Sequence, residues 1–411
     1  MVPEIPKQGP LSGVRVLGLE QVAAGPTCSF LLAHAGAEVI KIERPGTGES
    51  GRAPTLNPVV PDVNGQPRSA YFVRLNLNKK SMTLDVQKPK GKDIFRELVK
   101  VSDVVLDNFR PGVVERLELD FAHLSTINPK IICASVSGFG HADLYQSPYM
   151  FRPAYDALAQ ALSGMMDLTG EENTPPIKVG VGIGDYYPGT IMALGICMAL
   201  FNRERTGKGD RIDISMYDAM TFMCNTPIAN YSLTKELPLR GKFESTAPYG
   251  AFKARDGYVC IAAHGEPAWQ HLCKAMGRED LLDHPQLKTS VERVKNKNGL
   301  VKQVVESWTN EHDRAEIVDI LTEHDVAAGP IQNMDDVYAC PHLKARKMLW
   351  DVEHPWFGKI KEVTSPVKMA SIPDSEPRHA PLLGEHTDEV LAGLLHYSPD
   401  QIAQLRSDGV V

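Results

Sequence analysis

The sequence has few of the features that mark membrane, secreted or nucleic-acid-binding proteins. No apolar run approaches the ~20 residues of a membrane span. The longest, TIMALGICMALF at 190–201, is shorter and polar at both ends. The first residues, MVPEIPKQGPLSG, lack a charged start followed by an apolar core, so they predict no signal peptide. The net charge is -7, and lysine and arginine form no basic block. We therefore expect a cytoplasmic protein that binds neither membrane nor nucleic acid.

Cysteine is scarce, and its spacing shows no pattern. There are 7 cysteines, which are scattered, and C-x-x-C does not occur. An odd number without paired spacing argues against a disulfide framework. We interpret these cysteines as small buried hydrophobic residues in a reducing compartment. H-E-x-x-H is also absent, and a metal site would need histidines from distant segments, so no metal is predicted.

The N-terminal half alternates between strand-like and helix-like segments. GVRVLGLE and GAEVIKIER are typical of strands, and AGPTCSFLLAHAG between them is typical of a helix. KGKDIFRELVKVS, DVVLDNF and PKIICASVSGFG repeat this order. The pattern predicts a doubly wound, Rossmann-like α/β layer with a parallel sheet. Residues 45–68, with five prolines and four glycines, interrupt it, and we expect a long connection without structure of its own.

A chain of 411 residues is long enough for two or three domains. The pattern becomes irregular near 227–248, and YGAFKARDGYVCIAAH then predicts a hairpin that turns at Asp256–Gly257. EPAWQHLCKAM, SVERVKNKNGLVKQVVESWTN and RAEIVDILTEH follow as predicted helices. We predict a large α/β domain over 1–225, a smaller α+β domain over 226–330, and a segment over 331–411 that returns to the large domain.

Two segments that follow predicted strands contain candidate ligand-binding residues. The turn EQVAAGPTCS has only Gly25 where a dinucleotide-binding fold has G-x-G-x-x-G. Glu43 occupies the position of a ribose-binding acid, and the adjacent Arg44 suits an additional phosphate; a surface Glu–Arg pair is the alternative. In DNFRPGVVER, Arg110 and Arg116 follow a strand end, where open α/β sheets bind ligands. The alternative there is an ordinary helix start with solvated arginines.

The stretch VGVGIGDYYPGT places one aspartate, Asp185, among glycines before an apolar helix. Aspartate is a favoured N-cap and Pro188 suits a first helical turn, so a structural cap explains the pattern. The same geometry predicts an ionised carboxylate with room for a ligand, which is suited to attack an activated carbonyl. In FRPAYDALAQALSG, Tyr155 and Asp156 fall in the first turn of another predicted helix.

Taken together and in this order, the segments resemble the class III coenzyme A transferase family, which includes formyl-CoA:oxalate and carnitine CoA-transferases. The resemblance runs nearly end to end, through LSGVRVLGLEQVAAGP, GAEVIKIERPGTGES, NLNKKSMTLD, NFRPGVVERL, ASVSGFG, AYDALAQALSGMM, GIGDYYPG, RTGKGDRIDISMYDAM and APLLGEHTDEVL. It implies that the large domain binds CoA and that the protein moves CoA from an acyl-CoA donor to a small carboxylic acid. It also implies an interlocked homodimer.

The resemblance assigns roles to individual residues. The family's nucleophile falls on Asp185, which would form aspartyl anhydride and aspartyl-CoA thioester intermediates, and Gly184 precedes it. Tyr155 and Asp156 match positions that line the site. The implied CoA contacts are Val22, Ala23, Arg44, Leu84, Asp85, Val86, Gln87, Asn108, Phe109, Arg110 and Arg116. No permanently bound cofactor is implied, since CoA and acyl-CoA are substrates.

Two departures from the formyl-CoA transferases bear on the substrate. They have glutamine where this chain has Ala23, and they carry a run of glycines where this chain has RGKFESTAPYGAFKARDG. Neither departure favours formate or oxalate. Arg52, Arg74 and Arg152 lie in segments near the expected site, and one of them would suit the second carboxylate of a dicarboxylate. Transfer between two carboxyl groups of one molecule is also compatible with the sequence.

A racemase, a non-catalytic CoA-binding subunit and an NAD-dependent dehydrogenase are alternatives to a CoA-transferase. Related α-methylacyl-CoA racemases use a histidine base, whose position falls on Tyr155. A tyrosine phenol, with an ordinary pKa of about 10, is a poor base at neutral pH. A non-catalytic CoA-binding subunit of a hetero-oligomer would not need an aspartate among glycines. An NAD-dependent dehydrogenase is least compatible, because its glycine fingerprint is missing.

Overall fold

The computed structural model describes residues 9–241, 246–372 and 377–411. The chain forms two compact units. The larger unit runs to Thr169 and continues with Pro176–Lys235 and Lys344–Val411, and the smaller unit contains Gly170–Pro175 and Glu236–Leu343. The domain limits at residues 225 and 330 remain predictions.

The elements are numbered in chain order. The strands are β1 (Arg15–Leu19), β2 (Glu38–Glu43), β3 (Val59–Pro61), β4 (Pro67–Ser69), β5 (Lys80–Thr83), β6 (Val104–Asp107), β7 (Ile132–Ser137), β8 (Arg211–Ser215), β9 (Tyr249–Ala254), β10 (Gly257–Ala262), β11 (Ala327–Pro330), β12 (Leu349–His354) and β13 (Gly358–Val363). The helices are α1 (Ala24–His34), α2 (Pro89–Lys100), α3 (Val113–Leu117), α4 (Phe121–Ile127), α5 (Asp156–Leu162), α6 (Met165–Leu168), α7 (Ile183–Thr206), α8 (Met216–Met223), α9 (Asn225–Thr234), α10 (Gly265–Ala275), α11 (Ser290–Lys295), α12 (Lys302–Thr309), α13 (Arg314–Glu323), α14 (Met334–Ala339), α15 (Pro341–Ala345), α16 (Thr387–Leu395) and α17 (Pro399–Ser407). Short 3-10 helices cover Ser50–Arg52, Val73–Leu75 and Glu279–Asp283.

A six-stranded sheet organises the larger unit. Its order is β5-β2-β1-β6-β7-β8, and all neighbouring strands are parallel. Numbered along the chain, these strands lie in the order 3-2-1-4-5-6 of a doubly wound sheet. Connections leave β1 in one direction and β6 in the other, so a crevice opens outside the carboxyl ends of these two strands. The parallel α/β layer predicted from the sequence is confirmed.

Both faces of this sheet are covered by helices, and the central strands β1, β6 and β7 are buried along their whole length. Successive side chains point to opposite faces. Val16 therefore joins a core formed with α1 and α7, and Leu17 joins a second core formed with α2, α4, α16 and α17. The two layers fix the start of α7 on one side of the sheet.

Residues 45–68 carry more structure than the sequence suggested. Glu49 caps the 3-10 helix Ser50–Arg52, and β3 pairs with β4 in a short antiparallel hairpin. The turn is held by Asp62, whose Oδ1 accepts hydrogen bonds from the backbone N–H groups of Asn64 (2.8 Å) and Gln66 (2.9 Å). An aspartate side chain that bonds its own following backbone stabilises a turn. The expectation of an unstructured connection is therefore wrong.

The smaller unit has a three-stranded antiparallel sheet in the order β11-β10-β9. The predicted hairpin is present, but Gly257 pairs with Ala254, so the turn falls one residue earlier than expected. The predicted helix SVERVKNKNGLVKQVVESWTN is broken into α11, a π-helical turn over Lys297–Val301, and α12. Gly299 has non-helical φ/ψ angles of -110° and -107°, which an apolar periodicity does not reveal. Residues 242–245 of the compared glycine segment lie outside the described residues.

The described residues contain no group of three or more His, Cys, Asp and Glu side chains placed to hold a metal ion. Within 9–241, 246–372 and 377–411, none of the helices combines the length and apolarity of a membrane span. Among the cysteines, Cys197 and Cys260 are exposed, so the expectation that the cysteines are buried is wrong at these two positions.

Candidate active site

Asp185 lies in the first turn of α7. The helix begins at Ile183 with Gly182 as its N-cap, and no side chain caps it there. The backbone N–H of Asp185 already donates to the Gly182 carbonyl, at 3.0 Å. Asp185 is therefore the third helical residue, and Pro188 lies inside the helix instead of in its first turn. The structural alternative, in which Asp185 is the N-cap, is wrong.

Asp156, the first residue of α5, replaces the missing cap. Its Oδ1 accepts hydrogen bonds from the Gly184 N–H and from Gln160 Nε2, both at 2.8 Å. A side chain at Gly184 would place its Cβ 2.6 Å from the Asp156 carbonyl oxygen, so only glycine permits this contact. The Gln160 amide oxygen in turn accepts from the Val179 N–H at 2.9 Å. Asp156 thus fixes where α7 starts and where Asp185 stands.

The Asp185 carboxylate is in an unfavourable electrostatic environment. Burial raises its pKa, the nearby Asp156 raises it further, and Arg74 opposes both, with the result that the pKa is about 6. No described residue donates a hydrogen bond to this carboxylate. With a pKa of about 6, the carboxylate is still mostly ionised at pH 7, but burial outweighs the stabilisation that the helix N-terminus gives the anion. A poorly solvated, more basic carboxylate is a better nucleophile than a hydrated one.

Arg74 and two tyrosines lie beside Asp185. Arg74 Nη1 donates a hydrogen bond to the Tyr186 hydroxyl at 2.6 Å, and its guanidinium stacks 3.6 Å from the centroid of the Tyr71 ring. Charge repulsion from Asp185 contributes to a raised pKa of Tyr71, after burial and against the attraction of Arg74. Of the three arginines considered from the sequence, Arg74 is the one placed next to Asp185.

A cleft of about 810 Å³ lies outside the carboxyl ends of β1, β2 and β6. Ligand clefts of this size hold drug-sized molecules or cofactors. Predicted CoA contacts that line it are Arg44, Leu84, Asp85, Val86, Gln87, Phe109 and Arg116. Arg44 and Arg116 are exposed, and neither has an ion-pair partner among the described residues. The mouth of the cleft therefore offers two cations to an anionic ligand.

The other predicted CoA contacts do not line this cleft. Asn108 clamps the turn after β1, since its Oδ1 accepts from the Gln21 N–H at 2.9 Å and its Nδ2 donates to the Gln21 carbonyl at 2.8 Å. Ala23 is buried in a small apolar cluster that Val22 and Tyr186 also contact. Arg110 is exposed. The turn that follows β1 thus lies between the cleft and Tyr186, the residue after Asp185.

The surroundings of Glu43, Arg52, Arg152 and Tyr155 differ from one another. Glu43 is 2% exposed and pairs with Arg52 at 2.7 Å, so the surface pair with Arg44 is wrong and Arg52 is not free. Arg152 is exposed and stacks 3.8 Å from the Tyr149 ring centroid. Tyr155 is 73% exposed.

A buried cluster of charged side chains beneath the cleft was not predicted from the sequence. Glu20 Oε1 lies 3.4 Å from both Lys41 Nζ and Lys79 Nζ, with all three side chains fully buried. Burial alone would raise the pKa of Glu20, but the two lysines lower it to about 2. Glu49 also lies in this region and accepts from the Val22 N–H at 3.1 Å. One signal was available: Lys41 and Glu43 alternate on a buried strand, where charges need partners.

Comparisons with known proteins identify relatives that match nearly the whole chain. Residues 11–387 match the profile of CoA-transferase family III. The chain is 39% identical over 389 residues to succinyl-CoA:mesaconate CoA-transferase of Haloarcula hispanica, covering 93% of this chain and 96% of that protein. It is 34% identical over 426 residues to formyl-CoA:oxalate CoA-transferase of Rhodopseudomonas palustris, covering 98% and 97%. A CAIB/BAIF family protein from Brucella suis superposes with a TM-score of 0.83 at 33% identity, covering 94% of this chain and all of the other. With a family match across the cleft and the Asp185 region, the chain belongs to CoA-transferase family III and is a CoA-transferase.

Proposed function

We propose that this enzyme moves CoA from an acyl-CoA donor to a small carboxylic acid through covalent intermediates on Asp185. One observation carries the proposal. The Asp185 carboxylate lies at a helix start, largely buried, with a pKa raised to about 6 and no hydrogen-bond donor among the described residues. A structural aspartate would accept a hydrogen bond or form an ion pair, and Asp185 does neither among the described residues, whereas a nucleophile needs its lone pairs free.

The reaction has four steps, and each is an acyl transfer. An Asp185 oxygen attacks the donor thioester carbon, the C–S bond breaks, and CoA leaves as thiolate from a mixed anhydride. The thiolate attacks the Asp185 acyl carbon and releases the donor acid as carboxylate, which leaves aspartyl-CoA. The acceptor carboxylate then displaces the thiolate to form a second anhydride. The thiolate finally attacks the acceptor acyl carbon and restores the Asp185 carboxylate.

No proton is gained or lost in this sequence, so the site needs no general acid or base. It does need to exclude water, because hydrolysis of either anhydride would waste the thioester. The burial that raises the pKa of Asp185 serves this purpose. A racemase would require a base next to the thioester instead, and the residue at that position is the exposed Tyr155.

The cleft at the ends of β1, β2 and β6 suits CoA. Arg44 and Arg116 would contact its phosphates, because guanidinium groups bind phosphate oxygens in pairs. Gln87 and Phe109 would contact other parts of the nucleotide. The pantetheine arm would then pass the turn at Val22, close to Tyr186, to reach Asp185.

We also propose that the protein works as a homodimer in the cytoplasm. Large apolar side chains are exposed on α7, α8 and α9, among them Met198, Phe201, Phe222, Tyr231 and Leu233. Apolar residues exposed over neighbouring helices mark a protein interface. Light scattering of the purified protein tests the stoichiometry, and a monomer at micromolar concentration would contradict it.

Trapping of the intermediate tests the proposed nucleophile. The protein is incubated with a panel of acyl-CoAs, treated with hydroxylamine or borohydride, digested and analysed by mass spectrometry. We expect modification of the peptide that contains Asp185 in the wild type and in Asp319→Asn, a control at an exposed helical position. Asp185→Asn should carry no adduct and have no turnover. An adduct on another residue, or turnover by Asp185→Asn, would contradict the proposal.

A further inference from the structure

Among the described residues, no carboxylate forms an ion pair with the Arg74 guanidinium, although Asp185 is close enough to feel its charge. One nitrogen, Nη1, donates to the Tyr186 hydroxyl, and the plane of the group stacks on the Tyr71 ring. Nε is shielded from solvent and has no acceptor, and no described residue accepts from Nη2. Two tyrosines therefore hold the side chain in position, while the Nε–Nη2 edge has no partner.

Three other sheltered arginines differ, because each of them forms an ion pair with a carboxylate. Arg15 lies 2.6 Å from Glu38, Arg52 lies 2.7 Å from Glu43, and Arg293 lies 2.9 Å from Glu266. Removing a cation from water is costly unless an anion compensates it. An arginine that is positioned but left without an anion is therefore ready for one that a ligand brings.

The position of Arg74 relative to the nucleophile limits what this ligand is. Tyr186, its hydrogen-bond partner, directly follows Asp185 on α7. Arg74 is near enough to lower the pKa of Asp185 against the effects of burial and Asp156, yet the two do not form an ion pair, for which 4.0 Å is the limit. A small molecule between them would have one end at the reacting carboxylate and the other at the guanidinium.

We propose that Arg74 selects short dicarboxylic acids, by holding one carboxylate on its Nε–Nη2 edge while the other carboxylate reacts at Asp185. This inference rests on the proposed function, because it presumes that Asp185 is the nucleophile. The guanidinium makes and breaks no covalent bond. It binds the end of the acid that does not react, in the two-point geometry that arginine forms with carboxylates.

Such an arrangement discriminates against monocarboxylic acids of the same length. An acid with a methyl group at the far end would place it against an unpaired, partly desolvated cation. Sites built to bind a polar group reject analogues that lack it, because their own polar groups then stay unpaired. Arg74→Met should weaken this preference, since methionine has a similar length and no charge.

Acceptor specificity of matched variants tests the proposal. The kcat/KM values of succinate and of butyrate are measured for the wild type, Arg74→Met, Arg74→Lys and Arg152→Met. Arg152 is a matched control, because it also stacks on a tyrosine but is exposed and lies in another segment. We expect Arg74→Met to lower kcat/KM for succinate about 100-fold more than for butyrate, mainly through KM, because both acids share any loss from the higher pKa of Asp185 without Arg74.

Arg74→Lys should retain more succinate activity than Arg74→Met, because lysine keeps the positive charge but lacks the paired N–H donors of a guanidinium group. Arg152→Met should match the wild type. Equal losses for both acids, no loss for either, or a wild type without preference for succinate would each overturn the proposal. The Asp185 adduct is measured in the same samples. A wild type that transfers CoA without this adduct would refute the proposed nucleophile, whereas an adduct with unchanged specificity in Arg74→Met would refute only the role of Arg74.

Discussion

Replacing Asp185 with asparagine should make the folded protein more stable at neutral pH while it abolishes transfer. The pKa of this carboxyl is raised from 3.8 to about 6 in the fold, by burial first and then by Asp156. The folded state therefore holds a proton that the unfolded state has lost between these pH values, and the free energy of unfolding falls as pH rises through them. At 1.36 kcal/mol per pKa unit, the ionised carboxylate costs the fold about 3 kcal/mol at pH 7 and about 1.5 kcal/mol at pH 5. Asparagine has nearly the same shape and no charge, so it avoids this cost.

Urea unfolding followed by circular dichroism measures the effect. The midpoint of Asp185→Asn should exceed that of the wild type at pH 7, and the difference should shrink toward pH 5. Asp319→Asn, with its side chain in solvent, should show neither change. A variant that is less stable at pH 7, or a difference independent of pH, would show that Asp185 is a structural residue and not a carboxylate kept in an unfavourable site for reaction.

Two further predictions concern the same site and the cleft. In the pH profile of kcat/KM, activity should fall below an apparent pKa of about 6, because Asp185 must be ionised to attack. Asp156→Asn keeps an oxygen for the Gly184 N–H but removes the like charge, so this fall in activity should move to lower pH. An unshifted fall would mean that another group limits the rate. Arg116→Gln should raise the KM of acyl-CoA roughly tenfold with little change in kcat, and the difference from the wild type should diminish at high salt. Arg346→Gln, at an exposed position outside the cleft, is the control. Equal effects of both changes would show that Arg116 does not contact CoA.

The parallel sheet and much of the cleft follow from local sequence patterns. Strand and helix periodicities extend over a few residues, and parallel strands must present their carboxyl ends at one edge. Arg44, Gln87 and Phe109 each follow such an end, so their meeting in one cleft could be predicted without knowing any long-range contact. The cap position of Asp185 is a different case. Local preference favoured an N-cap, but a carboxylate 28 residues away bonds Gly184 and starts the helix earlier.

Contacts between charges were the least predictable part of the site. Arg74 reaches Tyr186 across 112 residues, and Glu43 pairs with Arg52 although Arg44 is adjacent in sequence. Glu43 is the last residue of β2 and is buried, whereas Arg44 follows the end of the strand and reaches solvent. Which buried charge finds which partner depends on how separate segments pack, and no periodicity within one segment specifies it.

Burial and the helix start act on Asp185 in opposite directions, and the outcome suits anhydride chemistry. The N-terminus of α7 favours the ionised form, yet such an effect is worth at most about 2 kcal/mol. Burial and Asp156 outweigh it, since the pKa rises to about 6 instead of falling. At pH 7 roughly nine in ten molecules still carry the reactive anion. A lower pKa would give a fully ionised but weaker nucleophile that leaves the anhydride more readily, and a much higher pKa would leave too little anion. A pKa just below neutrality therefore combines a populated anion with high reactivity, and the protein reaches it by excluding water, which the anhydride also requires.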